Sequence, residues 1–227
     1  MSTVLLTGAT GGLGRAVTRH LLDAGHRVLA THEPNSTLDK QENLFSYELD
    51  LTDEIACRAL IGKLATEHGA IDAAVLLVGG FAMGSISETD YAAVEHQINL
   101  NFRTTYQVVR PVFDQMAGRP EGGRFVLVGA RPALVPEAGQ HMVAYALSKS
   151  LVIHLSEIIN AAGKAKNIVS TVIVPSTIDT PANRQAMPEV DPAKWVAPDD
   201  IAELINFVTF GPGSMLRESV LKVYNRA

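Results

Sequence analysis

The chain has 227 residues, 47% of them hydrophobic and 19% charged, with a formal net charge of −5. That composition supplies ample apolar content for a core and excludes a disordered tail or a coiled coil, and an acidic balance without a basic block argues against a nucleic-acid backbone as partner. A single cysteine, Cys57, excludes an intrachain disulfide framework and a cysteine-rich zinc site, and fits a reduced, cytoplasmic setting. The length suits one α/β domain. The first eight residues are apolar but lack a basic segment, so no signal peptide is expected. No apolar run reaches the roughly 18 residues that span a bilayer, so no membrane partner is expected.

Residues 4–7 form a short apolar run ahead of a glycine and read as a buried strand. Leu13, Val17, Leu21 and Ala24 then fall at helical spacing, and Gly25 ends that helix. Residues 27–31 and 45–49 read as the second and third strands. A helix over about residues 53–67 follows, with Thr52 as the expected N-cap. The nearly continuous apolar run DAAVLLV, residues 72–78, predicts a parallel strand covered on both faces. A long helical stretch covers about residues 91–116, where Val94, Ile98, Phe102, Val109, Val112 and Met116 can share a face and Pro111 is the expected point of interruption. A strand at 124–128, a helix at 143–162, a β-branched strand at 168–174, a helix at 198–210 and a strand at 220–224 complete the series. Strand and helix alternate from end to end. That predicts right-handed crossovers and a single-domain Rossmann-type, doubly wound parallel sheet with helices on both faces. The irregular segments are 33–43, 131–141 and 176–195. The last is rich in proline and polar residues, and its 181–195 part reads as a cover over a substrate.

Thr7-Gly8-Ala9-Thr10-Gly11-Gly12-Leu13-Gly14 joins the first strand to the first helix. Gly8, Gly12 and Gly14 stand where a tight turn needs positive φ or where backbone approaches a ligand closely. The helix N-terminus behind them offers free N–H groups to a pyrophosphate. A glycine-rich connection without a ligand is the bland alternative, but directly after the first strand of an α/β chain a nucleotide is favoured. The spacing T-G-x-x-x-G-x-G resembles that of the short-chain dehydrogenase/reductase family. Further matches follow in order over about residues 3–210. Asp50-Leu51 ends the third strand, Val78-Gly79-Gly80 stands where the family has Asn-Ala-Gly, and Tyr145-x-x-x-Lys149 resembles the catalytic Y-x-x-x-K.

The resemblance implies an oxidoreductase that transfers hydride with NAD(P)H. Spacing of four places Tyr145 and Lys149 on one helical face. A nearby ammonium favours the phenolate, and a phenol near neutrality can exchange a proton with a substrate oxygen. A core tyrosine beside a solvent lysine is the plain alternative for the pair alone. By resemblance Tyr145 is the proton donor, Lys149 tunes it and holds the nicotinamide ribose, and Asn99 supports a proton relay, with Asn101 as the competing assignment. Gly8, Thr10, Gly12, Leu13 and Gly14 would cradle the pyrophosphate, Asp50 and Leu51 would flank adenine, and Gly79 and Gly80 would pass under its ribose. Pro175, Thr177, Ile178 and Thr180 would border the nicotinamide and its phosphate. His32 stands where NAD-preferring members carry an acid, which leans the expectation toward NADP over NAD, although the neighbouring Glu33 could reverse it. A homodimer or homotetramer is implied. His32, His68 and His96 show no ligand spacing, so no metal is expected.

One family feature is missing. The family places a serine after the fifth strand, about a dozen residues before the tyrosine. Here Gly129-Ala130 stands in that place, and no Ser or Thr occurs from Gly118 to Leu147. Loss of such a donor costs on the order of a hundredfold in carbonyl reduction. Two readings follow. The dihydropteridine reductase branch of the family also has alanine there and reduces an activated quinonoid ring. Gly79-Gly80-Phe81-Ala82-x-Gly84 and Gly129-Ala130-Arg131 resemble that branch, as does Pro175-x-Thr177-Ile178-Asp179-Thr180-Pro181-x-Asn183-Arg184 with Met187-Pro188 and Trp195 beyond. The other reading is a catalytically degenerate nucleotide sensor or scaffold. Arg131, Gln140 and His141 could replace the lost donor, but each reads better as an exposed loop side chain.

Overall fold

The structure, a computed structural model, describes residues 1–226. Seven strands form one parallel sheet: β1 Thr3–Thr7, β2 Arg27–His32, β3 Leu44–Glu48, β4 Ala73–Leu76, β5 Gly123–Val128, β6 Ile168–Pro175 and β7 Val220–Val223. Their spatial order is β3-β2-β1-β4-β5-β6-β7. The chain therefore winds outward in one direction from β1 and in the other from β4. A crevice opens between them at the carboxyl edge, where ligands bind in such sheets. The expected doubly wound architecture is the one observed.

Every residue of β1, β4 and β6 is buried, because helices cover both faces. On one face α1 (Gly12–Asp23) and α8 (Pro198–Phe210) lie side by side, with Leu13, Val17, Leu21, Ile201 and Ile205 packed on β1, β2 and β4. On the other, α2 (Glu54–His68), α3 (Tyr91–Ile98), α4 (Thr104–Ala117) and α6 (Val143–Gly163) run along the sheet; Ile61, Leu64, Val112, Val152 and Ile159 form its core. Gly25 ends α1 at φ +77°, and His26 N–H donates back to Leu21 O, a closure that side chains with a Cβ resist.

Several local expectations are corrected. The N-cap of α2 is Asp53, whose carboxylate accepts from the Ile55 and Ala56 N–H groups. Thr52 instead donates its own N–H and hydroxyl to Asp50, at 2.8 and 2.7 Å. The long helix over 91–116 is interrupted at a π-helical turn, Asn99–Arg103, and Pro111 lies within unbroken α4. The wide turn sits where Asn101 is drawn toward the β4 loop. The Thr104 and Thr105 hydroxyls there donate to the carbonyls of Leu100 and Asn101. Segments expected to be irregular hold short helices, α5 (Pro136–Gly139) and α7 (Pro181–Ala186). Trp195 is 5% exposed and Val196 bridges to Ile178, so the end of the 181–195 segment is anchored in the core. Among the described residues no helix is long and apolar enough to cross a membrane.

Candidate active site

The loop from β1 to α1 is shaped by its glycines. Gly8 adopts φ +71°, and a Cβ on Gly14 would collide with the Gly8 carbonyl oxygen. A Cβ on Gly12 would stand 2.9 Å from the Thr180 methyl, so this loop and the segment after β6 meet face to face. Gly11 caps α1 without a side-chain hydrogen bond, and no acidic residue lies in the first turn. The N–H groups opening α1 are thus free of carboxylate competition and fit an anionic diphosphate. Thr10 is partly exposed beside them, and its carbonyl accepts from Arg15 Nε at 3.1 Å.

Other expected contacts divide into side chains and backbone. Leu13 and Leu51 send their side chains into the core and leave only backbone for a ligand. The Asp50 carboxylate is exposed at the sheet edge, its pKa lowered by the bonds it accepts from Thr52. His32 ends β2, with Nδ1 3.1 Å from the Glu33 carbonyl oxygen.

After β4, Gly79 and Gly80 enter the tightest part of the edge. A Cβ on Gly79 would lie 2.5 Å from Asn101 Oδ1 and 3.0 Å from Lys149 Nζ, and one on Gly80 would strike Leu100. A side chain at either position would have to displace Asn101, Lys149 or Leu100. Asn101 is 0% exposed and grips Gly80 twice. The Gly80 N–H donates to Asn101 Oδ1 at 2.9 Å, and Asn101 Nδ2 donates to Gly80 O at 3.1 Å. That same Nδ2 lies 3.0 Å from Gln97 Oε1 and 3.0 Å from Ser148 Oγ, and Ser148 Oγ donates to Tyr145 O at 2.8 Å. The asparagine joined to Gly80 and Ser148 by its side chain is Asn101. Asn99, whose expected part in the relay is through its backbone carbonyl, begins the π-helical turn two residues earlier.

Lys149 is buried, and Nζ donates to the Val128 carbonyl at 2.9 Å. Desolvation pushes its pKa down to about 8. Desolvation also pushes Tyr145 up to about 12. This reverses the expected lowering by the lysine. The ammonium is turned to the β5 carbonyl, and burial of the phenol dominates. The Phe81 ring meets Tyr145 edge to face, centroids 5.2 Å apart, and is itself 59% exposed. The two are brought together by backbone pairing of Gly84 with residues 141–143.

Ala130 follows β5, 4% exposed. Gln140 turns its amide to Glu137 O, and His141 is exposed, its carbonyl accepting from Gly84 N–H. Arg131 is not an exposed loop side chain: it is half-buried, its guanidinium 5.1 Å above the Tyr224 ring. Pro175 ends β6; Thr177 O accepts from Val196 N–H, Ile178 O from Asn183 Nδ2, and Thr180 caps α7. Among the described residues no cluster of three or more His, Cys, Asp or Glu is placed to hold a metal.

Residues 2–191 match the family model described as short chain dehydrogenase. The acetoacetyl-CoA reductase of Acinetobacter sp. is 25% identical over 238 residues, covering 96% of this chain and 94% of that protein. The dihydropteridine reductase of Dictyostelium discoideum is 25% identical over 209 residues, covering 88% of this chain and 84% of that protein. Among solved structures, ElxO with NADP bound has the same fold, with a TM-score of 0.89 at 23% identity over 98% of this chain and 96% of that one.

Proposed function

The chain belongs to the short chain dehydrogenase family and is an NAD(P)-dependent oxidoreductase of that type, and from this premise we propose that it reduces an activated, quinonoid or pterin-like acceptor with Tyr145 as proton donor. The observation that carries the reading is that Asn101, buried between Gly80 and Ser148, ties the loop after β4 to the turn of α6 that carries Tyr145 and the buried Lys149.

A nicotinamide held at this edge would supply the hydride, and the acceptor would gain that hydride and one proton. The chain supplies the proton. Burial pushes Tyr145 up to about 12, so its proton is in place at neutral pH, and its transfer to a nascent oxyanion or ring nitrogen would rely on the strong base that the arriving hydride creates, not on a lowered phenol pKa. Lys149, near 8, carries charge at neutral pH and stands beside Gly79, where it can hold a ribose hydroxyl and steady the negative charge that forms. Asn101 fixes the distance between the Gly80 backbone and the first turn of α6. The sequence from Gly118 to Leu147 offers no Ser or Thr hydroxyl to polarise a carbonyl. A quinonoid ring needs less of such help, because the electron pair arriving with the hydride is delocalised into the ring. The exposed face of Phe81 offers such a ring an apolar wall.

The glycine loop, Asp50, Leu51, Pro175, Thr177, Ile178 and Thr180 would hold the dinucleotide. Because β2 ends in His32 and not in an acid, NADP is the proposed preference; comparing the two Kd values tests it, and NADH binding tenfold tighter would reverse it. A homodimer through α4 and α6 is also proposed, since Tyr106, Leu151 and Ile158 expose apolar surface there. Light scattering should then give at least a dimer at micromolar concentration. A nucleotide sensor without turnover is the competing reading, favoured by Ala130 alone. Tight cofactor binding with no turnover of quinone, dihydropterin or ketone would establish it instead.

A further inference from the structure

Arg131 is a cation without a counter-ion at the carboxyl edge of the sheet. Its Nε is buried with no hydrogen-bond partner, and it enters none of the ion pairs of the described residues. It lies directly after Ala130, three residues from the Val128 carbonyl that holds Lys149. The turn it begins is tied to α6, where Ser150 Oγ donates to Ala133 O at 3.4 Å. Tyr224 follows β7 on the same edge and is held to the end of β6, because Ser176 Oγ donates to Tyr224 O at 2.9 Å. The Tyr224 hydroxyl is likewise buried and unpartnered. The two orphaned donors belong to one cation–π pair, with the guanidinium carbon 5.1 Å from the ring centroid. Buried donors are nearly always satisfied, so two together need a partner that the protein does not supply.

The stacking also sets what the partner is. The cation–π contact with the Tyr224 ring restrains the guanidinium, and its terminal N–H groups enter no ion pair among the described residues and would be the ones to meet a ligand. An oxyanion with two oxygens, carboxylate or phosphate, matches that fork. We propose that Arg131 and Tyr224 form an anion-reading end of the substrate pocket, so that the physiological acceptor carries a carboxylate or phosphate group beside its reducible ring. The inference rests on the proposed placement of the reacting centre at Tyr145, and it assigns to Arg131 a specificity role, distinct from that of the missing hydroxyl.

Calorimetry on the NADPH-loaded protein with benzoate and with inorganic phosphate tests it directly. At least one should bind, with the better of the two telling carboxylate from phosphate. Arg131→Gln should weaken that binding about tenfold or more, Tyr224→Phe by less, and Arg131→Lys should restore part of it. Kinetics with 1,2-naphthoquinone and its 4-sulfonate should show the same loss in the KM of the sulfonate alone, with kcat and the uncharged quinone unchanged. Absence of anion binding by the wild type, or equal effects of Arg131→Gln on both quinones, would overturn the proposal. Turnover that survives Tyr145→Phe would instead overturn the proposed mechanism, and the calorimetric result would still decide the anion site.

Discussion

The two halves of the sheet's carboxyl edge are built on different principles. Between β1 and α1 the site is backbone: glycines whose missing Cβ atoms let Gly8, Gly14 and Thr180 approach, and a helix start left open for an anion. Between β4 and α6 it is side chain: Asn101 and Lys149 close on the glycine pair, and Gln97 and Ser148 hold Asn101 there from the helices on either side. The first half tolerates exposure and presents a shape. The second withdraws a lysine and a tyrosine from water and so changes what their protons do. Damage to the first should therefore be read in binding, and damage to the second in chemistry.

The sharpest test of that division is Tyr145→Phe. It should lower kcat by about a thousandfold, within the range for a positioned general acid, and leave the cofactor Kd within about twofold. Next is Asn101→Ala, which strips both bonds from Gly80, leaves Gln97 Oε1 without its donor and leaves Ser148 with its bond to Tyr145 O alone. A loss of about 2–4 kcal/mol in denaturant unfolding is expected, whereas Asn99→Ala should cost about 0.5 kcal/mol or less. Equal losses would remove the distinction between the two asparagines. Gly79→Ala drives a methyl toward Asn101 Oδ1 and Lys149 Nζ and should cost about 1–3 kcal/mol, with kcat falling more than cofactor affinity. Ala130→Ser supplies the absent hydroxyl. A gain of about tenfold for a plain ketone over a quinone is expected if that oxygen reaches the substrate.

The smallest effect is in pH. Lys149 is pushed down to about 8, so it is charged below that pH and neutral above it. The rate kcat/KM should fall as pH rises through about 8, while Tyr145, near 12, stays protonated throughout. Lys149→Arg keeps its charge and should carry the falling limb beyond pH 10. A limb that does not move would assign it to another group.

Backbone demands leave marks in sequence, and side-chain networks leave fewer. The glycine loop, the seven strands and their parallel order are legible because φ > 0 and double-sided burial each restrict residue type. The Tyr145–Lys149 spacing is legible because a helix repeats every four residues, but the direction of the tyrosine's shift is not. That depends on which way Lys149 turns and how much water remains, both set by distant chain. Asn99 and Asn101 are equivalent in sequence, and only the π-helical turn sends Asn101 inward. Thr52 and Asp53 are both good caps, and the choice falls to Asp53 because Asp50 engages Thr52. Trp195 reads as part of a polar loop, yet its burial comes from Val196 pairing with Ile178 across the segment. Arg131 reads as a loop cation; its partner ring, Tyr224, lies 93 residues on.

The central claim is that the network around Tyr145 reduces an activated acceptor. It is tested most directly by following NADPH and NADH oxidation against a quinonoid dihydropterin, a quinone and a simple ketone, with Tyr145→Phe alongside. The account predicts turnover of the dihydropterin or the quinone, little of the ketone, and loss of both in the variant. Rapid ketone reduction, or turnover that Tyr145→Phe leaves intact, would contradict it.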